Sequence, residues 1–298
     1  MALRLNELKL DQEFEAKLLG DMDDVRERAI LERQAVSQAD LPSLSSQLQQ
    51  ELPEAKFRYG FGPAPVDDKF VFFFDIDNCL YKRSTKIHDL MQIYIHRFFK
   101  KTLKLTDEEA HVLHNKYYKE YGLAIEGLVR HHKIDALEYN KVVDDSLPLE
   151  KVLRPNPALR EMLLRIKEKG VCGKLWLFTN AYKNHGMRVV RLLGLGDVFD
   201  GMTFCDYSEF PLTCKPMEAM FAKALKDAGC KDKQHAYFVD DSGLNVRAAK
   251  KLGWGKVIQF VERDEDLPDL IGEDDKEREG IYVIRNILDI EKVAAELF

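Results

Sequence analysis

Basic tracts, long apolar runs and an even set of cysteines are all missing from this chain of 298 residues. No window reaches the roughly 18 apolar residues of a membrane span. The amino-terminal stretch MALRLNELKLDQEFEAKLLGDMDDVRER has no apolar signal-peptide region and is too acidic for a mitochondrial presequence. The five cysteines, Cys79, Cys172, Cys205, Cys214 and Cys230, are odd in number, irregularly spaced and never C-x-x-C. A zinc site and a disulfide framework are therefore not expected, and a reducing compartment fits. The expectation is a soluble cytoplasmic or nuclear protein with neither a nucleic-acid polymer nor a membrane as partner. The G-x-G-x-x-G fingerprint and the P-loop are absent too. A cysteine phosphatase needs C-x5-R, but the positions six beyond the cysteines are Thr85, Phe178, Pro211, Met220 and Ala236.

Hydrophobic residues make up 45% of the chain, enough for a large domain or a domain carrying an insert. The formal net charge is −6, yet residues Glu262 to Glu279 alone hold ten acidic and three basic side chains. The acidity thus belongs to one solvated loop and says little about a ligand. Residues 1–66 are polar and interrupted, with a Ser/Gln-rich stretch and the breaker-rich YGFGPAPVDD, and read as a weakly ordered extension with some helix.

Beyond that extension, short apolar runs alternate with helical patterns. Strands are expected at KFVFFFDI, KLWLFTN, GMTFCDY, HAYFVDD, KVIQFVE and IYVIRNI. Between them lie helices such as PALREMLLRIKEKG, closed by Gly170, and PMEAMFAKALKDAG, with Pro216 in its first turn. LDIEKVAAELF reads as a closing helix. Such alternation predicts an α/β fold, a doubly wound parallel sheet with helices on both faces. Only residues 87–153 break it, because every segment there has helical spacing. The predicted organisation is a core of 67–86 and 154–298 interrupted by a helical insert at 87–153.

In a doubly wound sheet, ligands bind beyond the carboxyl ends of the strands. Those ends carry Asp75 and Asp77, then Thr179 and Asn180, then Asp240 and Asp241, with Lys215 on a crossover. Together they suit phosphoryl transfer through an aspartyl-phosphate. Asp75 would attack phosphorus, and Asp77 would protonate the leaving oxygen and then deprotonate water. A phosphoester adds about two negative charges to a pocket of carboxylates, so a cation such as Mg²⁺ is needed alongside Lys215. Thr179 and nearby amides would bind phosphoryl oxygens. Taken singly, the residues have plainer readings: solvated acids in a turn, a helix cap at Thr179 or among the acids of VDDS, a surface lysine at 215.

The motifs DIDNCLY, LFTNA, CKP and FVDDSGLNVRAAKKLG resemble, in order, the four motifs of the haloacid dehalogenase superfamily. The resemblance spans residues 70–298. It implies a Rossmann-like core with a helical cap of the C1 type. It implies Asp75 as nucleophile and Asp77 as acid/base, with the Asp77 backbone carbonyl also on the metal. Thr179, Asn180 and Lys215 would hold phosphate. Asp75 and Asp241 are implied as direct metal ligands and Asp240 as a supporting or water-mediated one, because Asn245 stands where many members have an aspartate. A dehalogenase needs neither Asp77 nor a metal site. YGLAIEGLVRHHKIDALEYNKVVDDSLPLEKVLRPN, KLWLFTNAYKNH and FDGMTFCDYS further resemble fungal pyrimidine 5′-nucleotidases. That implies Mg²⁺-dependent hydrolysis of nucleoside 5′-monophosphates, chiefly UMP and CMP. The alternatives are another monoester (lysophosphatidic acid, nicotinamide mononucleotide or a sugar phosphate) and a non-catalytic interaction protein on the same scaffold.

The cap sequence also offers His111, His114, His131 and His132. A metal site there would lack a completing carboxylate or cysteine set. The aromatics Tyr94, Phe98, Phe99, Tyr117, Tyr118 and Tyr121 read mostly as cap core, with one of them available to stack on a base. Cys79 is expected to pack beneath the turn after Asp77.

Overall fold

The structure is a computed structural model that describes residues 52–54, 57, 63–263 and 279–298. Six parallel strands form one sheet: β1 (Phe70–Phe74), β2 (Cys172–Thr179), β3 (Gly201–Phe204), β4 (Ala236–Asp240), β5 (Lys256–Phe260) and β6 (Ile281–Ile284). Their order is β3-β2-β1-β4-β5-β6. The chain therefore winds outward from β1 one way, then returns to its other side and winds the opposite way. That reversal puts the switch point at the carboxyl end of β1.

The strands are continuously apolar because both faces are covered. Successive side chains alternate between two cores. Phe72 and Phe74 join Leu175, Leu177 and Val239 in one, while Val71 and Phe73 join Trp176, Phe178 and Phe238 in the other. The first core is roofed by α6 (Pro157–Lys169) and α7 (Lys183–Leu192), the second by α8 (Glu218–Asp227) and α9 (Gly243–Lys251). Asn156 caps α6, Pro157 opens it and Gly170 ends it in the left-handed conformation.

Between β1 and α6 lie five further helices: α1 (Ile87–Leu103), α2 (Asp107–Tyr121), α3 (Ala124–His132), α4 (Ala136–Val142) and α5 (Leu149–Val152). A reciprocal capping box of Thr106 and Glu109 starts α2. Phe98, Phe99 and Tyr117 are buried among these helices, whereas Tyr118 is half exposed. Among the described residues, no helix is long and apolar enough to cross a membrane.

Two helix expectations need correction. Pro216 lies before α8, not in its first turn, because the Lys215 backbone is held in a loop by Asn180. LDIEKVAAELF is not one helix: α10 (Ile290–Val293) sits between 3-10 turns at Ile287–Asp289 and Ala295–Leu297. The break at Ala294 seats Leu297 in the core while Glu296 reaches Tyr237 and Lys256. Most of the amino-terminal extension and of the acidic loop, residues 264–278, falls outside the described residues. The described end of the extension is docked, with Phe57 buried in the core and the Ala64 amide donating to the Asp227 carbonyl at 2.8 Å.

Candidate active site

Asp75 is the first residue past β1, Thr179 ends β2 and Asp240 ends β4. Phe74 pairs with Leu177 on one side and Val239 on the other, so the three strand ends meet at one place. The Asp75 amide donates to the Val239 carbonyl at 3.0 Å, which fixes the aspartate's backbone to the neighbouring strand.

Lys215 reaches this point from the loop before α8. Its Nζ donates to Asp75 Oδ1 at 2.7 Å, to Asp240 Oδ2 at 2.6 Å and to the Phe178 carbonyl at 2.7 Å. All three ammonium protons are thereby committed. Burial works against the charge, but Asp240 and Asp75 outweigh it and raise the lysine pKa. Asn180 sets the position of this lysine. Its Nδ2 donates to the Lys215 carbonyl at 2.9 Å and its Oδ1 accepts from the Lys215 amide at 2.7 Å. The side chain that sequence reasoning assigned to phosphate is thus occupied by the Lys215 backbone. Thr179 is buried, and its Oγ1 accepts from the Ala181 amide at 3.0 Å. Its hydroxyl hydrogen has no acceptor among the described residues.

The acids divide into two groups. Asp75, Asp240 and Asp241 each place a carboxylate oxygen within 4.8 Å of the others. Asp240 is fully buried and accepts from Lys215, the Ser242 amide and Asn245 Nδ2. No described hydrogen bond reaches the Asp241 side chain. Burial and the Asp240 charge push Asp241 up to about 7, and burial, with Asp240, Asp241 and Asp77 against Lys215, holds Asp75 well above the usual carboxylate range. Oxygen donors crowded this way, short of positive charge, fit a hard divalent cation. The Asp77 carboxylate is not part of this cluster. Its Oδ1 accepts from Tyr81 Oη at 2.6 Å and from His185 Nε2 at 2.6 Å. Burial would raise its pKa, but His185 and Tyr81 more than reverse that and lower it. Neither Tyr81 nor His185 was singled out from sequence. Tyr81 lies one helical turn beyond Asp77, and His185 follows the TNA motif at the start of α7.

Behind His185 lies Asp144, buried, with no described hydrogen bond to its carboxylate. Burial raises its pKa to about 7 against the pull of His185, with Asp77 and Asp145 adding to the rise. A raised folded-state pKa means stability that is complete below the unfolded carboxylate value and lost as pH climbs towards 7. The stabilisation from Asp144→Asn should therefore grow with pH, by on the order of 2 kcal/mol between pH 5 and pH 8. Urea titrations at both values check this. Equal shifts at the two values would contradict the burial account.

The helices between β1 and β2 touch the Lys215 loop. Glu126 of α3 is fully buried; its Oε2 accepts from the Leu212 amide at 3.2 Å, and Arg130 bonds its Oε1. Gly122, at φ +79°, lies so close that an added Cβ would meet the Lys215 carbonyl at 3.2 Å. The cap histidines have local partners: His131 and His132 bond Tyr121 and Tyr117, His111 lies beside Asn115, and His114 packs on Phe99. Among the described residues they form no metal cluster. Cys79 is buried, with its thiol towards the Val239 carbonyl.

A doubly wound sheet carrying buried carboxylates and a lysine at its switch point defines a class of α/β hydrolytic enzymes. Residues 71–253 match the family described as haloacid dehalogenase-like hydrolase, and the chain belongs to that family. A relative from Saccharomyces cerevisiae (strain ATCC 204508 / S288c), Phosphate metabolism protein 8, is 42% identical over 257 residues, covering 84% of this chain and 78% of the relative. Among solved structures, CbbY from Rhodobacter sphaeroides in complex with xylulose-(1,5)-bisphosphate superposes with a TM-score of 0.51 at 16% identity, over 74% of this chain and 96% of that one. An L-2-haloacid dehalogenase from Xanthobacter autotrophicus, with chloropropionic acid covalently bound, matches at a TM-score of 0.47 and 14% identity, over 76% of this chain and 98% of that one.

Proposed function

We propose that this hydrolase is a phosphomonoesterase acting on nucleoside 5′-monophosphates, with UMP and CMP preferred. The observation that carries the phosphatase reading is Asp75: a carboxylate at the switch point, 2.7 Å from a buried lysine and clustered with Asp240 and Asp241. An Asp75 oxygen attacks phosphorus as the bond to the leaving oxygen breaks, and Asp77 gives that oxygen its proton. Water then attacks the aspartyl-phosphate, Asp77 takes the water's proton, and Asp75 is regenerated with phosphate released. Lys215 is the fixed positive charge beneath the phosphoryl group, and the uncommitted Thr179 hydroxyl donates to one of its oxygens. Asn180 serves by holding Lys215.

Asp75, Asp241 and the Asp77 carbonyl are the groups that would hold Mg²⁺, with Asp240 supporting them. The ion, when bound, would supply the positive charge that lets a phosphate dianion enter a pocket of carboxylates. The helices at 87–153 act as the cap, which excludes water and selects the leaving group. The nucleotide preference is supported by the resemblance of the cap and strand-end segments to pyrimidine 5′-nucleotidases. The name of the yeast relative accords with a phosphate ester as substrate.

The test is a panel of esters at matched concentration with free-phosphate detection. It would hold UMP, CMP, AMP, nicotinamide mononucleotide, lysophosphatidic acid, glycerol phosphate and a sugar phosphate, each with Mg²⁺ and with EDTA. UMP and CMP are expected to give the highest kcat/KM, and EDTA to stop turnover. Preference for glycerol-type esters would overturn the nucleotidase reading, and turnover in EDTA would refute the ligand assignment.

A further inference from the structure

We propose that His185 and Tyr81 form a two-donor clamp on Asp77 that fixes which of its oxygens, Oδ2, carries the transferred proton. The proposal rests on the reading of Asp77 as the acid/base group. Both donors converge on Oδ1, each at 2.6 Å, and no described hydrogen bond reaches Oδ2. A carboxylate or carboxyl oxygen without the proton can accept from both donors, so the clamp persists in either protonation state. The proton must then ride on the other oxygen. In the transfer, the O–H bond at Oδ2 breaks, the leaving oxygen gains the hydrogen, and the electron pair of the broken P–O bond stays on that oxygen. When water is deprotonated, the same Oδ2 regains a hydrogen.

The cost of the clamp argues that it is built for Asp77. His185 is completely buried on α7, and its Nδ1 has no partner among the described residues. The ring's described hydrogen bond goes to Asp77 alone. Burying an imidazole with one nitrogen unpaired is unfavourable, and an apolar side chain would serve the core as well. Tyr81 likewise is buried in the core and turns its hydroxyl to the same oxygen. Each donor comes from a fixed position: Tyr81 from the turn that follows β1, where the Leu80 amide bonds the Ile76 carbonyl, and His185 from the first turn of α7. An aspartate held from two sides loses little orientational freedom when substrate arrives, which favours proton transfer in one direction.

The two residues are positioning residues, and leaving-group dependence separates that role from a structural one. UMP expels an alkoxide that needs a proton, whereas p-nitrophenyl phosphate expels a stable phenolate that does not. Single-turnover kcat/KM covers only the steps through leaving-group departure. Asp77→Asn should lower this constant for UMP by about 100-fold or more and for the aryl ester far less. His185→Ala should reproduce that selectivity with a loss of about 30-fold, and Tyr81→Phe with about fivefold. In an Asp77→Asn background neither substitution should lower UMP turnover further. Tyr81→Phe keeps its ring in the core, so it tests the clamp even where His185→Ala folds poorly. Equal losses on both esters, or losses that add to a selective Asp77→Asn defect, overturn the clamp and leave Asp77 as the acid. An Asp77→Asn enzyme that treats both esters alike overturns the acid assignment and the clamp with it.

Discussion

Asp75→Asn is expected to abolish turnover while leaving the protein at least as stable as before. The two effects have one origin. The amide cannot attack phosphorus, and loss of a covalent nucleophile costs on the order of 10⁴-fold or more in kcat. Yet the substitution also removes one negative charge from a cluster in which Asp75, Asp240 and Asp241 lie within 4.8 Å. Burial and those neighbours already resist ionisation of Asp75. An asparagine of the same shape keeps an oxygen for the Lys215 ammonium; it gives up the charge attraction to Lys215 but sheds the larger cost of burial and repulsion. Rapid acid quench with ³²P-labelled substrate should trap a phosphoprotein in the natural enzyme and none in the variant. Urea unfolding should give an unchanged or higher midpoint. Full hydrolysis by the variant would sink the covalent route, and a large drop in stability would mean that Asp75 serves the fold rather than the chemistry.

Much of the site was legible because strand ends are legible. Each of the runs ending at Phe74, Thr179 and Asp240 is apolar on both faces, so the first polar residues after it mark the carboxyl edge of the sheet. Chain order alone could not show which acids share a cluster. DIDN reads as a nucleophile and an acid/base group without showing what holds each: Asp75 turns to Lys215 and the Asp77 carboxylate to His185. That second partner is 108 residues away and sits on a helix whose amphipathic pattern accounts for a buried residue without naming its contact. Asn180 was legible as a site residue, but its task was not. An amide beside Thr179 suits a phosphate oxygen as well as a peptide group, and only the approach of the Lys215 loop decides. Pro216 was misplaced for the same reason, since that clamp keeps the loop out of α8.

Lys215→Met is expected to have the largest effect on stability of any single substitution at the site. Lys215 is 1% exposed, and its ammonium is shared by Asp75, Asp240 and the Phe178 carbonyl. Methionine conserves most of the side chain's volume, so a cavity contributes little, but it removes the ammonium that sits 5.0 Å from the Phe178 ring centre and 5.5 Å from that of Phe238. What is lost is the cation that compensates two buried carboxylates. Removing one member of such a group costs about 3–5 kcal/mol, against a total stability of about 5–15 kcal/mol. The loss should be greatest in EDTA, where no divalent ion can substitute for the missing charge. It should also be non-additive: Asp75→Asn in the Lys215→Met background removes one uncompensated carboxylate and should restore roughly half of the deficit. Urea titrations of the two single variants and the double variant supply the cycle. Lys215→Met unfolding at the natural midpoint, or a double variant no more stable than Lys215→Met, would show that Asp75 and Asp240 do not depend on the lysine for their burial, and the charge balance drawn for this site would fail.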